Sequence, residues 1–146
     1  MQISILKEPL QPYQLLADYE KENPGLFGKA GATASFVGTM RDNNEDDTVT
    51  GMTLEHYPEM TQKHLEKICQ RAESKWHLLD VLIAHRVGDL EPGDPIVLVA
   101  AWSKHRKEAF EACRFMMEDL KSEAPFWKKE RLEDGERWVS KNTPGV

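Results

Sequence analysis

Cysteine is scarce in this chain: its 146 residues hold two, Cys69 and Cys113, with no Cys-x-x-Cys and no histidine beside either. That pattern indicates neither a zinc site nor a disulfide framework, and free cysteine is among the most buried residue types, so both read as buried spectators. Long apolar runs are missing too. Nowhere do about 18 apolar residues follow one another, and the opening "MQISILKEPL" offers too short an apolar stretch and no basic flank for a secretory signal. The expectation is a cytoplasmic protein without a membrane partner. Positive charge is in deficit, with 19 Lys and Arg against 25 Asp and Glu and a formal net charge of -6. A general nucleic-acid binder needs a basic footprint, so no nucleic-acid partner is expected. Phosphate-cradling runs of the Gly-x-x-x-x-Gly-Lys and Gly-x-Gly-x-x-Gly types are absent, as is a Gly-x-Ser-x-Gly elbow. His56, His64, His77, His85 and His105 show no His-Glu-x-x-His spacing, so no metal site and no cofactor is expected.

What is present suits one compact domain over residues 1–146, long enough to bury about two-thirds of its unfolded surface. Hydrophobic residues make up 40% and charged residues 30%, an ordinary globular balance. "ISIL" reads as a strand, and "PYQLLADYEKENPG" as a helix begun near Pro12 and closed by Asn23-Pro24-Gly25. "GATASFVGTM" and "VTGMTLEHY" read as strands joined by the acidic loop "RDNNEDDT", with Arg41 at a strand end. From Pro58 to Trp76 the apolar positions Leu65, Ile68, Cys69, Ala72 and Trp76 follow a helical period. "LLDVLIAHRVG" and "PIVLVAAW" flank "LEPGD" as a hairpin, Pro92-Gly93 suiting the centre of a type II turn. Ser103 is expected to cap a helix whose buried stripe is Phe110, Cys113, Met117 and Leu120, and Pro125 to end it. "FWKKERLEDGERWVS" reads as a second hairpin around Asp134-Gly135. Helices set among hairpins predict an α+β fold with a largely antiparallel or mixed sheet.

The charge is uneven along the chain. Residues 1–103 carry 9 basic and 16 acidic side chains, whereas 104–146 carry 10 and 9, so the last third is where an anion can be received. "SKHRKEAF" places Lys104, His105, Arg106 and Lys107 at a helix start, the wrong end of the dipole for cations. Free N–H groups, a guanidinium and an imidazole there form a candidate phosphate or carboxylate receptor, with a solvated basic turn as the alternative. In "LKSEAPFWKKE", strand alternation puts Phe126, Lys128 and Glu130 on one face and Trp127, Lys129 and Arg131 on the other. A lysine beside an aromatic ring among other cations has its pKa pushed down, which makes Lys128 a candidate proton donor or nucleophile, with an ordinary surface lysine as the alternative. Residue types and spacing therefore reach an anion-receiving α+β domain and leave the anion unnamed.

Five ordered segments carry a resemblance: "FVGTMRD" (36–42), "LEHYPEM" (54–60), "HRVGDLEPGD" (85–94), "SKHRKEAF" (103–110) and "LKSEAPFWKKE" (120–130). Together they resemble the large, catalytic subunit family of molybdopterin synthase, the MoaE family. The resemblance implies an α/β-hammerhead fold with an additional antiparallel β-sheet subdomain. It implies a sulfurtransferase that builds the dithiolene of molybdopterin on cyclic pyranopterin monophosphate. The sulfur would come from a small ubiquitin-like subunit bearing a C-terminal Gly-Gly thiocarboxylate, in a heterotetramer around a homodimer of large subunits. Lys121 and Lys128 match the family's catalytic lysines. Thr39, Met40 and Arg41 match its pterin-pocket segment, His105 and Arg106 its phosphate-binding pair, and Lys129 and Glu130 its substrate-contacting run. The tail "VSKNTPGV" has few cations to add. A rival reading from another class is a non-catalytic module whose basic cleft captures an anionic peptide tail or phosphorylated ligand.

Overall fold

The computed structural model of the chain describes residues 1–123 and 126–139. Ala124, Pro125 and the tail from Ser140 onward lie outside them, and with them the expected helix stop at Pro125 and any tail contribution. The chain opens with β1 (Gln2–Leu6) and α1 (Pro12–Glu22), followed by a short 3-10 turn at Pro24–Leu26. Then come β2 (Ala32–Thr39), β3 (Asn43–Asn44), β4 (Asp47–His56) and α2 (Pro58–Lys75). β5 (Asp80–Arg86), β6 (Gly88–Leu90), β7 (Pro95–Ser103), α3 (Arg106–Glu123), β8 (Phe126–Leu132) and β9 (Gly135–Val139) complete it.

One sheet runs in the order β1-β5-β7-β2, with β1 parallel to β5 and the other pairs antiparallel. Its central strands β5 and β7 are apolar on both faces because both are covered. Val81, Ile83, Val97, Val99 and Ala101 pack against Leu65, Ile68, Cys69 and Ala72 of α2 and Ala109, Ala112 and Met116 of α3. Leu82, Ala84, Leu98, Ala100 and Trp102 face the α1 side with Tyr19 and Leu26. A second, antiparallel sheet runs β3-β4-β8-β9, with β6 also pairing β4, around a small core of Met40, Val49, Met52, Leu54 and Leu90. This is the α+β arrangement of a helix-covered sheet with an added antiparallel sheet. No helix among the described residues is long and apolar enough to cross a membrane.

Several local expectations need correction. "LLDVLIAHRVG" is not one strand: Gly88, at a φ of 90°, turns the chain so that β6 leaves for the second sheet, while β5 and β7 still pair across it. Glu91-Pro92-Gly93-Asp94 does form the expected turn, closed by Asp94 N–H donating to Glu91 O at 3.0 Å. β2 and β4 do not pair with each other; the acidic loop folds back instead, with Asn44 paired to Asp47 around the two-residue tip Glu45–Asp46. Ser103 is no helix cap. It is the buried last residue of β7, in register with Ala32, and its hydroxyl donates to His105 O, so Lys104 and His105 precede the helix. Phe110 is 67% exposed, because the buried stripe takes Ala109, Ala112, Cys113, Met116, Met117 and Leu120 at spacings of three and one. In the last hairpin the tip falls one residue early, at Glu133–Asp134, since Gly135 already pairs with Leu132.

Candidate active site

Three parts of the fold meet at one pocket. Met40, just past β2, has its N–H bonded to Asp94 O at 2.9 Å and its carbonyl bonded by Gly93 N–H at 2.8 Å. The Pro92-Gly93 turn thus clamps the segment that carries Thr39 and Arg41. Lys121 comes from the last turn of α3, where a cation is favourable. Lys128 and Glu130 come from the inner face of β8, opposite Leu54 and Met52 of β4. These side chains, with Asn43 and Asn44 of β3, line a cavity of about 120 Å³. The cavity continues into a groove of about 390 Å³ that shares Thr39, Arg41, Ile96 and Lys121 and runs past Phe36 and Met117.

Arg41, Lys121 and Lys128 bring three cations to this wall, against one carboxylate, Glu130. Burial lowers the pKa of Lys121, and the Arg41 guanidinium lowers it further, with Glu118 opposing. Burial also pulls Lys128 down to about 8, helped by Lys121 and opposed by Glu130. Lys128 can therefore change charge state at mild pH, which ordinary surface lysines do not, and Lys121 is shifted in the same direction. Behind them His85 is buried, its Nδ1 2.8 Å from Arg86 O and its ring stacked on Phe126 at 3.9 Å. Desolvation drives its pKa to about 3, so it remains a neutral spacer whose Nδ1–H donates to that carbonyl.

Of the residues singled out from sequence, Thr39, Met40, Arg41, Lys121, Lys128 and Glu130 are brought together. Lys129 is not: it lies on the opposite face of β8, paired with Glu136 at 2.9 Å and over the Trp138 ring. His105 and Arg106 sit at the other end of α3, fifteen or more residues from Lys121, or about 22 Å of helix. One copy of the chain cannot place them on the same small ligand. Sequence reasoning missed Asn43 and Asn44, hidden in a loop read only as acidic and solvated. It also missed His85, whose one signal is a histidine inside an apolar strand. Both cysteines are buried and free, with thiols pushed up to about 12 for Cys69 and about 11 for Cys113, mainly by desolvation. Among the described residues no cluster of His, Cys, Asp and Glu could hold a metal.

A helix-covered sheet with an added antiparallel sheet, presenting two lysines of lowered pKa in a cationic pocket, has the make-up of a domain that receives an anionic ligand. The comparisons with known proteins give the family. The MoaE protein family model matches residues 5–123. A molybdopterin synthase catalytic subunit from Ralstonia nicotianae is 59% identical over 109 residues, covering 75% of this chain and 62% of the relative. One from Pseudomonas aeruginosa is 48% identical over 139 residues, covering 95% and 90%. Among solved structures, a molybdopterin biosynthesis MoaE protein from Burkholderia ambifaria superposes with a TM-score of 0.80 at 48% identity, covering 97% and 90%. A chain in the complex of subunits 1 and 2 of molybdopterin-converting factor from Helicobacter pylori superposes with a TM-score of 0.78 at 27% identity, covering 94% and 90%. The chain belongs to the MoaE family, the catalytic subunits of molybdopterin synthase, which are sulfurtransferases of molybdenum cofactor biosynthesis.

Proposed function

We propose that Lys121 and Lys128 are the catalytic pair of a sulfur transfer in which a partner's C-terminal thiocarboxylate enters this pocket and reacts with cyclic pyranopterin monophosphate. The observation that carries the reading is that two lysines from separate elements share one cavity with Arg41 and have lowered pKa values. In each transfer the thiocarboxylate sulfur forms a bond to a side-chain carbon of the pterin while a carbon–oxygen bond breaks, and water then cleaves the acyl–sulfur bond of the resulting thioester, leaving the sulfur on the pterin and a carboxylate on the partner. Lys128 gives its proton to the departing oxygen. A value near 8 keeps it mostly protonated at neutral pH yet makes it a better donor than an ordinary lysine, and general acid catalysis contributes about 10²- to 10⁴-fold. Lys121, beside Arg41, orients the thiocarboxylate, stabilises developing charge or captures an acyl intermediate. Thr39 and Met40 shape the pterin side of the pocket, and the groove along β2 suits an extended tail.

A site built only to hold an anion gains nothing from a lysine such as Lys128, which at about 8 loses charge at mildly alkaline pH, and this favours catalysis over the rival reading of a binding module. The partner in this reading is a small ubiquitin-like sulfur-carrier subunit, as the two-subunit Helicobacter pylori complex supports by analogy. Residues 1–146 act as one functional unit in the cytoplasm, as half of a homodimer. β2 is a sheet edge, and Phe36 and the exposed Phe110 flank an apolar groove of about 330 Å³ between β2 and α3, a surface a second copy would cover. His105 and Arg106 then serve the pocket of the other copy, which removes the 22 Å difficulty. Lys129 lends charge at the rim rather than a contact inside. The test is to mix purified chain, thiocarboxylated partner and pterin precursor. Dithiolene product is expected; binding of both ligands without product would sink the reading.

A further inference from the structure

Arg137 of β9 lies outside every expectation drawn from the sequence, yet its guanidinium joins three separate segments. Nε donates to Glu130 Oε1 at 3.0 Å, Nη1 to Asp47 Oδ2 at 2.7 Å, and Nη2 to the Asn44 carbonyl at 2.9 Å. Glu45 Oε2 stands 3.8 Å from Nη1. Asn44 completes the arrangement by donating Nδ2 to both Glu130 oxygens, at 3.2 and 3.1 Å. Only a planar, forked cation can make such a set of bonds; a lysine in the same place would reach one partner well.

Two features of the pocket depend on these bonds. The first is the hairpin tip. Glu45 and Asp46 have φ values of 52° and 66°, the left-handed pair that two-residue tips adopt and that Asn-Gly accommodates with least strain. Here the tip lacks glycine, and Arg137, about 90 residues away, bonds the residue on each side of it, Asn44 and Asp47. Asn43 and Asn44, which line the cavity, are held with it. The second feature is the direction of the one carboxylate. Glu130 is 6% exposed and shares the inner face of β8 with Lys128, two residues away. Among the described residues it pairs with Arg137, and Lys128 makes no ion pair.

We infer that Arg137 is a positioning residue that clamps Glu130 to the Glu45–Asp46 tip, holding the pocket's carboxylate off Lys128 and the Asn43–Asn44 wall in place. The inference rests on the reading of Lys128 as the working acid. The groups facing Lys128 are Lys121 of α3, Arg41 beyond β2, Glu130 of its own strand and His85 of β5, which burial keeps neutral. β4 and β9 oppose Lys128 with the uncharged Leu54 and Val139. Glu130 is thus the group in this set that favours the charged lysine, and its freedom to turn decides how strongly. Loss of the clamp lets it swing onto Lys128.

The experiment follows the Lys128 side chain by NMR titration in wild type, Arg137→Gln, Arg137→Lys and Glu130→Gln, independently of turnover. Arg137→Gln is expected to raise the Lys128 midpoint by about one unit or more, as an opposite charge at contact distance does, and to move the corresponding limb of the pH–rate profile alkaline by the same amount. Arg137→Lys keeps a cation beside Glu130 and is expected to leave the midpoint near wild type, while amide exchange at 45–47 speeds up in both Arg137 variants. Glu130→Gln lowers the midpoint, and adding Arg137→Gln to it has little further effect. An unchanged or lowered midpoint in Arg137→Gln overturns the clamp. If that variant does not fold, amide exchange at 45–47 that stays at the wild-type rate in Arg137→Lys does so. A clamp that passes while Lys128→Ala retains turnover would instead overturn the catalytic reading.

Discussion

Lys128 and Lys129 are neighbours on β8 and meet opposite surroundings. Lys128 points into a cavity with Arg41 and Lys121, behind which His85 stacks on Phe126. Lys129 points outward, paired with Glu136 across the hairpin and lying over Trp138. Two residues of one type, 3.3 Å apart along a strand in rise, thus divide into a group kept among cations and a group given an anion. The difference teaches that lysine chemistry here is set by the sheet face and by what the fold packs behind that face. An exposed ion pair such as Lys129–Glu136 is worth about 0–1 kcal/mol and leaves its lysine an ordinary surface cation in function.

The sharpest way to break this contrast is to truncate each lysine in turn. Lys128→Ala is expected to lower the rate of dithiolene formation by about 10²- to 10⁴-fold with fold intact. Lys121→Ala is expected to fall in the same range, and Lys129→Ala to stay within about threefold of wild type. A Lys129 variant as inactive as the Lys128 variant would erase the distinction between the faces.

Stability against pH gives a smaller effect with a definite sign. The folded chain holds Lys128 near 8, below its ordinary 10.5. Between those values the unfolded state binds more protons, so stability rises with pH there, and at neutral pH the group is destabilising. Lys128→Met should therefore stabilise the protein at pH 7 by on the order of 2 kcal/mol and flatten the slope between pH 8 and 10 in chemical denaturation. His85 follows the same rule at the acid end. Its folded value of about 3 against the usual 6.5 means that stability is lost as pH falls through that window, and His85→Phe should flatten the loss. The smallest effect belongs to the thiols. Cys69→Ala and Cys113→Ala should keep turnover and lose about 1 kcal/mol of stability by thermal melting, since the sulfur arrives on the partner. A folded but inactive cysteine variant would reveal a sulfur relay.

Periodicity made the helices legible: Leu65, Ile68, Cys69 and Ala72 pack as their spacing implies. Alternation likewise separated the two faces of β8 before any partner strand was known. Pairing was harder to read, because a strand's own pattern says which side is buried and not which neighbour bonds to it. β2 and β4 were expected around one loop, yet they belong to different sheets. Phe110 was assigned to the core on apolarity alone, although it stands one residue off the stripe that Ala109 and Ala112 occupy. In the site, Arg41, Lys121, Lys128 and Glu130 were visible as cations and a carboxylate near breaks in regular structure, and the resemblance gave them roles. Arg137 was not, since its worth comes from contacts with Asn44 and Asp47 that only the folded chain creates.

The most direct test of the contrast is the titration of Lys128 itself in the wild-type protein, read from its ε-carbon shift after selective isotope labelling. A midpoint near 8 is the expected result, and a midpoint near the ordinary 10.5 would mean that the pocket does not tune this lysine.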